Sequence, residues 1–285
     1  MTKPRRKQVE DAMPLLGRRT VLVGAGALVT VWVGRAVAAR QDFQVVEQEL
    51  VVAGLDPRHD GLVVAQVSDV HLGLSTPQRR VERAVETLNA LRPDVVVLTG
   101  DYVSFSKKPV ARVGPALAGL KAPTFAVLGN HDHWVDAERV RAELVGDGYA
   151  VLQNESRSLQ VKGAPLTLVG IDDEQVGRAD VARAFAGVGK TGSRLVLAHQ
   201  PKTADQLPRD AGLVCFSGHT HGGQIVVPKV TEAIAHQVGQ HYLKGVYRVR
   251  GNWLVVSAGL GYGRGGPAVR LRVPPEISLV TLRAG

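Results

Sequence analysis

Cysteine is almost missing from this chain. The one copy, Cys215, sits in the apolar run LVCF, so no intramolecular disulfide can form and no thiolate cluster can hold a metal. It reads as a small buried apolar residue. Aromatic residues are scarce too, at 5%, which argues against the stacking platforms that bind single-stranded nucleic acid. Fixed-period repeats and low-complexity linkers are also lacking. What remains is a globular profile, 45% hydrophobic and 21% charged over 285 residues, long enough for one large domain or two small ones with an ample core.

Positive charge is in excess, but it is unevenly placed. The net charge is +9, and residues 1–40 alone hold eight Lys/Arg against two acids, which leaves only +3 for residues 41–285. A groove that tracks DNA gains little support, and no nucleic-acid partner is expected. The first forty residues form a separate object: a basic segment (Lys3, Arg5, Arg6, Lys7), then GRRTVLVGAGALVTVWVGRAVAAR. The apolar run from Val21 to Gly34 has 14 residues, about 21 Å as a helix against a bilayer core of about 30 Å. Arg18-Arg19 ahead of a mild apolar run, and AVA at 36–38, resemble a twin-arginine export signal with its cleavage site. An uncleaved membrane anchor and a first core helix are the alternatives. Either of the first two places the protein across or on the cytoplasmic membrane, in the cell envelope, with membrane association through this segment.

The body, 41–285, alternates short apolar runs with helical stretches. Strands are expected at 62–69, 94–101, 124–132, 166–173, 194–199, 213–219, 253–259 and 276–282. RRVERAVETLNALRP, 79–93, has Val81, Ala84, Val85, Leu88 and Leu91 at helical spacing before a proline stop. Helices are also expected over 136–148 and 179–188 and, more weakly marked, over 109–120. Continuous apolar strands between helices predict α/β layers, with sheets covered by helices. The stretch 228–250, with Pro228, His236, His241, Tyr242 and Tyr247, reads as a lid or a substrate wall.

Five strand-like runs end in the same chemistry. They deliver Asp69-Val70-His71, Gly100-Asp101, Gly129-Asn130-His131-Asp132, His199, and Gly218-His219-Thr220-His221. Ligands of open α/β sheets gather beyond the carboxyl ends of strands. In extended backbone, residues i and i+2 face one side, so Asp69 with His71, and His219 with His221, would each converge with the intervening residue turned away. Oxygen plus imidazole, without sulfur, suits Mn, Fe, Zn or Co. The set is too large for one tetrahedral ion and about right for two metals sharing a carboxylate. Each element alone is weak: GD and GN are common turns, and a lone histidine is usually structural. Their ordered combination is the signal.

That ordered set resembles the calcineurin-like metallophosphoesterase superfamily, through motifs spanning residues 69–224, and the leader, GHTHGGQI and VRLRVPPEISLVTL resemble its bacterial exported or membrane-associated branch. The resemblance implies a four-layer αββα sandwich, two mixed β-sheets packed face to face and flanked by helices, with a dinuclear site at the strand ends. It implies that Asp69, His71 and His221 hold one divalent ion, that Asn130, His199 and His219 hold a second, and that Asp101 bridges them. His131 would lie near the leaving-group oxygen as proton donor. Mn, Fe and Zn all fit this set. The protein phosphatases of the superfamily carry GDxVDRG and GNHE; this chain has GDYVSFS and GNHD, with Ser104 where the second aspartate orients the catalytic histidine. Phosphoprotein is thereby disfavoured, and His131 is left without an identified orienting partner.

The implied activity is two-metal, in-line hydrolysis of a phosphodiester or phosphomonoester, with a membrane or envelope phospholipid or a nucleotide-linked lipid among the substrates the leader favours. A nuclease or nucleotide phosphodiesterase is the alternative within enzymes, and a non-catalytic metal-binding envelope protein the alternative outside them.

Overall fold

The computed structural model describes residues 19–24, 27–32, 43–73, 76–227, 230–263 and 270–285. Its strands form two mixed sheets. The first runs, in spatial order, β1 (Arg19–Gly24), β2 (Ala27–Trp32), β3 (Gln44–Val52), β14 (Glu276–Ala284), β4 (Leu62–Val67), β5 (Val95–Thr99), β6 (Thr124–Val127) and β7 (Ala150–Val151). The second runs β12 (Gly245–Val249), β13 (Asn252–Val256), β11 (Val214–Ser217), β10 (Ser193–Ala198), β9 (Ala164–Ile171) and β8 (Glu155–Val161). The neighbours β4, β5, β6 and β7 are parallel, as are β9, β10, β11 and β13.

Burial on both faces explains the unbroken apolar runs. Along β5, Val95 and Val97 point between the sheets, where they meet Leu195, Leu197, Val214 and Phe216 of the second sheet. Val96 and Leu98 point the other way, onto α1 (Gln78–Leu91), α2 (Val113–Leu117) and α4 (Ala137–Gly146) through Val81, Leu88, Leu117, Val140 and Leu144. The far face of the second sheet, with Val169, Val196, Cys215 and Leu254, is covered by Ala184 of α5 (Val181–Ala184) and by Ala204 and Leu207. Each such side chain contributes about 1.5–3 kcal/mol by leaving water. Helix, sheet, sheet and helix are the four layers expected.

Helix α1 matches its expected span. It follows Pro77 and ends at Arg92, whose left-handed backbone (φ 50°) precedes Pro93. The weaker helices shrink. The stretch 109–120 becomes a 3-10 turn, Val110–Arg112, and the five-residue α2, which contains Gly114 and Pro115. The stretch 179–188 keeps only α5 before Gly187 at φ 76°. Strand β6 stops at Val127, and Asn130 already begins helix α3 (Asn130–Val135). The segment expected as a lid or wall holds α6 (Val230–Gln237) and β12.

Of the leader, most of 1–40, including the basic segment and the AVA site, lies outside the described residues. Within it, β1 and β2 pair as a hairpin, and β2 continues onto β3 through Thr30↔Glu49. Among the described residues no helix is long and apolar enough to cross a membrane.

Candidate metal centre

Strand register sets the site. The pairs Val67↔Leu98, Thr99↔Val127 and Leu197↔Phe216 align the carboxyl ends of neighbouring strands, so the loops after β4, β5, β6, β10 and β11 leave together. Beneath them buried Gln66 ties the two sheets, donating to Thr99 Oγ1 (3.0 Å) and to the Ser217 carbonyl (2.8 Å). The eight residues singled out in the sequence all arrive here: Asp69, His71, Asp101, Asn130, His131, His199, His219 and His221 are linked by the contacts that follow.

The two-residue spacing works for a different reason than extended alternation. β4 ends at Val67 and β11 at Ser217, before the motifs begin. Asp69 (φ 51°), His71 (45°), Asp101 (58°), His219 (70°) and His221 (51°) all adopt left-handed backbone. Twelve non-glycine residues do so among the described residues, and finding five of them here marks a strained, over-determined loop cluster. Each left-handed residue turns the chain back on itself, and that turning, not a pleat, brings i and i+2 together. Two glycines make the crowding possible. A Cβ on Gly218 would lie 1.9 Å from Ser68 Oγ and 2.2 Å from Asp69 Oδ2, and one on Gly129 would lie 2.2 Å from Asp101 Oδ1.

The ligand-type atoms fall into two groups, Asp69–His71–His221 and Asp101–His199–His219, each with its atoms within 4.8 Å of one another. Asp101 lies between them. Its Oδ2 is 3.5 Å from His71 Nε2, 3.3 Å from His199 Nε2 and 3.9 Å from His131 Nε2, while Oδ1 accepts the His131 backbone N–H at 3.0 Å. Asn130 Oδ1 is 3.1 Å from His219 Nδ1. Asp69 accepts the His219 N–H on both oxygens, at 3.1 and 3.0 Å, and its Oδ1 is 3.4 Å from His221 Nε2.

Tautomers follow from what each ring touches. His199 Nδ1 faces the Thr99 carbonyl at 2.7 Å, and a carbonyl only accepts, so Nδ1 carries hydrogen. Its Nε2 is wholly buried with no hydrogen-bond partner, opposite an Asp101 oxygen. A lone pair facing a carboxylate in a dry site calls for a cation or a proton between them. Burial alone would push this imidazole down, but the carboxylates of Asp101, Asp69 and Asp173 outweigh it and hold its pKa well above the ordinary value. A divalent ion would take that proton's place, so the second group fits a metal.

Around it the imidazoles are held neutral. Burial lowers His71 to about 4 and His219 to about 3. Burial, His71 and the Arg270 cation press His221 well below its usual value. Neutral imidazole is the ligating form. His221 needs one adjustment. Arg270 Nη2 donates to its Nδ1 at 3.1 Å, and a guanidinium only donates, so the ring proton sits on Nε2, 3.1 Å from His71 Nε2. Nε2 would be free to ligate only with that proton on Nδ1; Arg270 also donates to the Ala258 and Gly261 carbonyls. Burial, the largest cause, and the nearby Asp101 charge raise Asp69 to about 6.

His131 now has an orienting partner. Its Nδ1 lies 2.8 Å from the Ser104 backbone carbonyl, which leaves Nε2 turned toward Asp101. The Ser104 hydroxyl is 3.1 Å from His71 Nδ1. One residue therefore orients two rings, with a main-chain oxygen standing where the superfamily's phosphatases use a carboxylate. Exposed Phe105 and Trp134 meet the His131 ring edge-on, at 4.7 and 4.9 Å. Asp132 stays outside the ligand groups. Its carboxylate accepts the N–H groups of Gly129, Asp101, Tyr102 and Val103, and so shapes the loop that carries Asp101. Gln200 Nε2 reaches Asn130 Oδ1 (3.4 Å), Asp173 Oδ2 (3.2 Å) and His219 Nδ1 (3.3 Å). His133 is paired with Asp172 at 2.7 Å and plays a structural part. The sequence hinted at Ser104 through its place in the GD motif; Gln200 and Arg270 carried no signal.

Comparison with known proteins agrees with this geometry. The family model described as calcineurin-like phosphoesterase matches residues 62–223. The metallophosphoesterase YkuE of Bacillus subtilis is 29% identical over 231 residues, 79% of this chain and 80% of its own. The phosphodiesterase YaeI of Escherichia coli is 30% identical over 224 residues, 76% of this chain and 80% of its own. The UDP-2,3-diacylglucosamine pyrophosphatase LpxG of Chlamydia trachomatis is 27% identical over 279 residues, 77% of this chain and 83% of its own.

Proposed function

Because the chain belongs to the calcineurin-like phosphoesterase family and is a metallophosphoesterase, we propose that it hydrolyses a phosphodiester or pyrophosphate bond in a lipid-linked substrate of the cell envelope. Asp69, His71 and His221 would hold one divalent cation, Asn130, His199 and His219 the other, and Asp101 would be available to both. The observation that carries this assignment is the buried Nε2 of His199, which faces the Asp101 carboxylate at 3.3 Å and makes no geometric hydrogen bond among the described residues. When bound, such a cation pair supplies Lewis-acid stabilisation of the phosphoryl oxygens and acidifies water. Mn, Fe and Zn all suit the donor set.

The chain's own groups do the rest. His131 Nδ1–H is committed to the Ser104 carbonyl, so proton exchange runs through Nε2. Nε2, 3.9 Å from Asp101 Oδ2, is the atom that would pass a proton to the departing oxygen. Phe105 and Trp134 wall the leaving-group side and keep bulk water from His131. The lipid-linked substrate is supported by the relative named for a diacylated sugar nucleotide and by the basic, apolar leader. The same leader supports export across, or anchoring to, the cytoplasmic membrane.

The test is a substrate panel on the full chain, loaded in turn with Mn, Zn and Fe. It comprises an aryl phosphomonoester, a bis-aryl phosphodiester, a nucleotide diester and a nucleotide-linked glycolipid. Turnover of the diester and highest kcat/KM on the glycolipid are expected. Failure to cleave any ester while two metals are bound would overturn the catalytic reading.

A further inference from the structure

The second sheet sends one more strand end to the centre. β9 pairs with β10 through Leu197↔Gly170 and Ala198↔Ile171, so the residues after Ile171 leave beside His199. They are Asp172 and Asp173, both buried. Asp172 Oδ1 meets His133 Nε2 at 2.7 Å, on the helix that also carries Asn130 and His131. Asp173 accepts the Val176 N–H at 3.1 Å on Oδ1 and a Gln200 Nε2 hydrogen at 3.2 Å on Oδ2. The loop is itself fastened: Asn154 Oδ1 accepts the Asp172 N–H at 2.9 Å, and the Asp173 carbonyl accepts the Arg178 N–H at 3.0 Å. Asp173 belongs to neither donor group.

Gln200 shows what this carboxylate faces. Four polar atoms surround its Nε2: Gln175 Oε1 at 3.1 Å, Asp173 Oδ2 at 3.2 Å, His219 Nδ1 at 3.3 Å and Asn130 Oδ1 at 3.4 Å. An amide nitrogen has two hydrogens and cannot serve four atoms. Asn130 Oδ1 and His219 Nδ1 lie 3.1 Å apart and are donors to the second cation. With a cation on those two, the amide hydrogens fall to Asp173 and Gln175, and every atom of the group is satisfied. The two donor groups also differ in charge. Asp69 belongs to the first, whereas Asn130, His199 and His219 are neutral in their ligating form. The second cation therefore has only the Asp101 carboxylate, which it shares. Among the described residues, the hydrogen-bond donors to Asp173 are both neutral, and a buried carboxylate so placed is costly without a positive charge nearby.

We propose that Asp173 is a positioning residue for the second cation: held behind Gln200, it supplies the negative charge that this cation's own donors lack. The inference rests on the two-cation reading of the centre. Set one amide away, the carboxylate adds charge without occupying a coordination position, and it keeps the Gln200 amide turned from the donor atoms of Asn130 and His219 once the ion is bound.

The experiment titrates Zn into the metal-free full chain against a chromophoric chelator and resolves the two binding steps. In Asp173→Asn one Zn binds as in wild type and the other is weakened about 10–100-fold. The same loss appears in a His71→Ala background, where the first donor group is broken, and is absent in a His219→Ala background, where the second is. The double variant Asp173→Asn/Gln200→Glu, which returns a carboxylate to this wall, regains most of the affinity, as a purely structural role would not allow. Thermal melts of the metal-free proteins check folding. If Asp173→Asn does not fold, the double variant measured against Gln200→Glu makes the same comparison. Unchanged affinity for both ions, or equal loss of both without recovery in the double variant, overturns the proposal. Hydrolysis of a soluble aryl diester by the wild-type chain is measured alongside. Hydrolysis with both ions bound normally in Asp173→Asn sinks the role of Asp173 only. Selective loss of one Zn in Asp173→Asn, with no hydrolysis by the wild type, sinks the catalytic reading and leaves that role standing.

Discussion

The metal centre and the aliphatic ridge along α6, formed by Ile225, Val227, Val230, Ile234, Val238 and Leu271, obey opposite rules. In the centre the carboxylates of Asp69 and Asp101 are buried, His219 and Arg270 are half-buried, and five of the eight donor-type residues have left-handed backbone. Along the ridge the side chains are aliphatic and about half exposed. The centre is over-determined, so single changes there should be costly. The ridge residues are exposed, and the segment is held by the Thr231 hydroxyl's bonds to Val227 and Ile225 and by buried Ala235, so changes at the exposed positions should be cheap for the fold. The comparison shows how one fold separates a crowded site from an exposed surface.

That contrast can be broken by experiment. The largest effect belongs to Asp101→Ala. One carboxylate faces His71, His131 and His199, so its loss should empty both cation positions, counted by elemental analysis, and abolish turnover. His131→Ala comes next: metals retained, with kcat reduced about 10²–10⁴-fold. Equal turnover of variant and wild type would remove its assigned role. Chelation of the native protein should then lower Tm by several degrees, since a cation at 100 times its Kd contributes about 2.7 kcal/mol; an unchanged Tm would mean that the cradle does not need its ions. Ser104→Ala deletes the hydroxyl beside His71 but leaves the carbonyl that orients His131, so its kcat/KM should fall less than tenfold. Ile234→Glu should be the mildest, with stability changed by no more than about 0.5 kcal/mol in denaturant melts. A large loss would show that the ridge is packed, not exposed.

The body offers a control at Cys215. Burial raises its thiol to about 12, so across pH 6 to 9 it stays protonated and should not react with thiol reagents until the protein unfolds. Reaction at pH 8 in the native state would contradict the close packing of the second sheet's outer face.

Much of this was legible before any coordinates. Strand runs such as DVVVLTGD and LVCFSGH are apolar without interruption because both faces are covered, and each marked its own end with a glycine and a polar residue. The eight site residues were therefore recognisable from order alone. Their convergence has a different local geometry from extended alternation: Asp69 with His71 and His219 with His221 meet through left-handed turns after the strands, not along a pleat. The short helices were overextended, because Gly114, Pro115 and Gly187 cut patterns whose apolar spacing looked longer. Gln200 and Arg270 carried no signal, and Ser104 was marked only by its place in the GD motif. Ser104 acts on His131 through a main-chain carbonyl that every residue possesses, and Arg270 reaches His221 across 49 positions.

Local chemistry determined what could be read from the chain by itself: which segments bury both faces, where each strand stops, and that oxygen and imidazole donors wait at those stops. It also placed most of the excess positive charge in residues 1–40. Only the tertiary structure decided how close the donors come to one another, which carbonyl each ring faces, and that an aliphatic helix face is exposed near His221. Those outcomes depend on sheet register and on contacts between residues far apart in sequence, and no local pattern encodes a distance between two chain segments that meet only after folding.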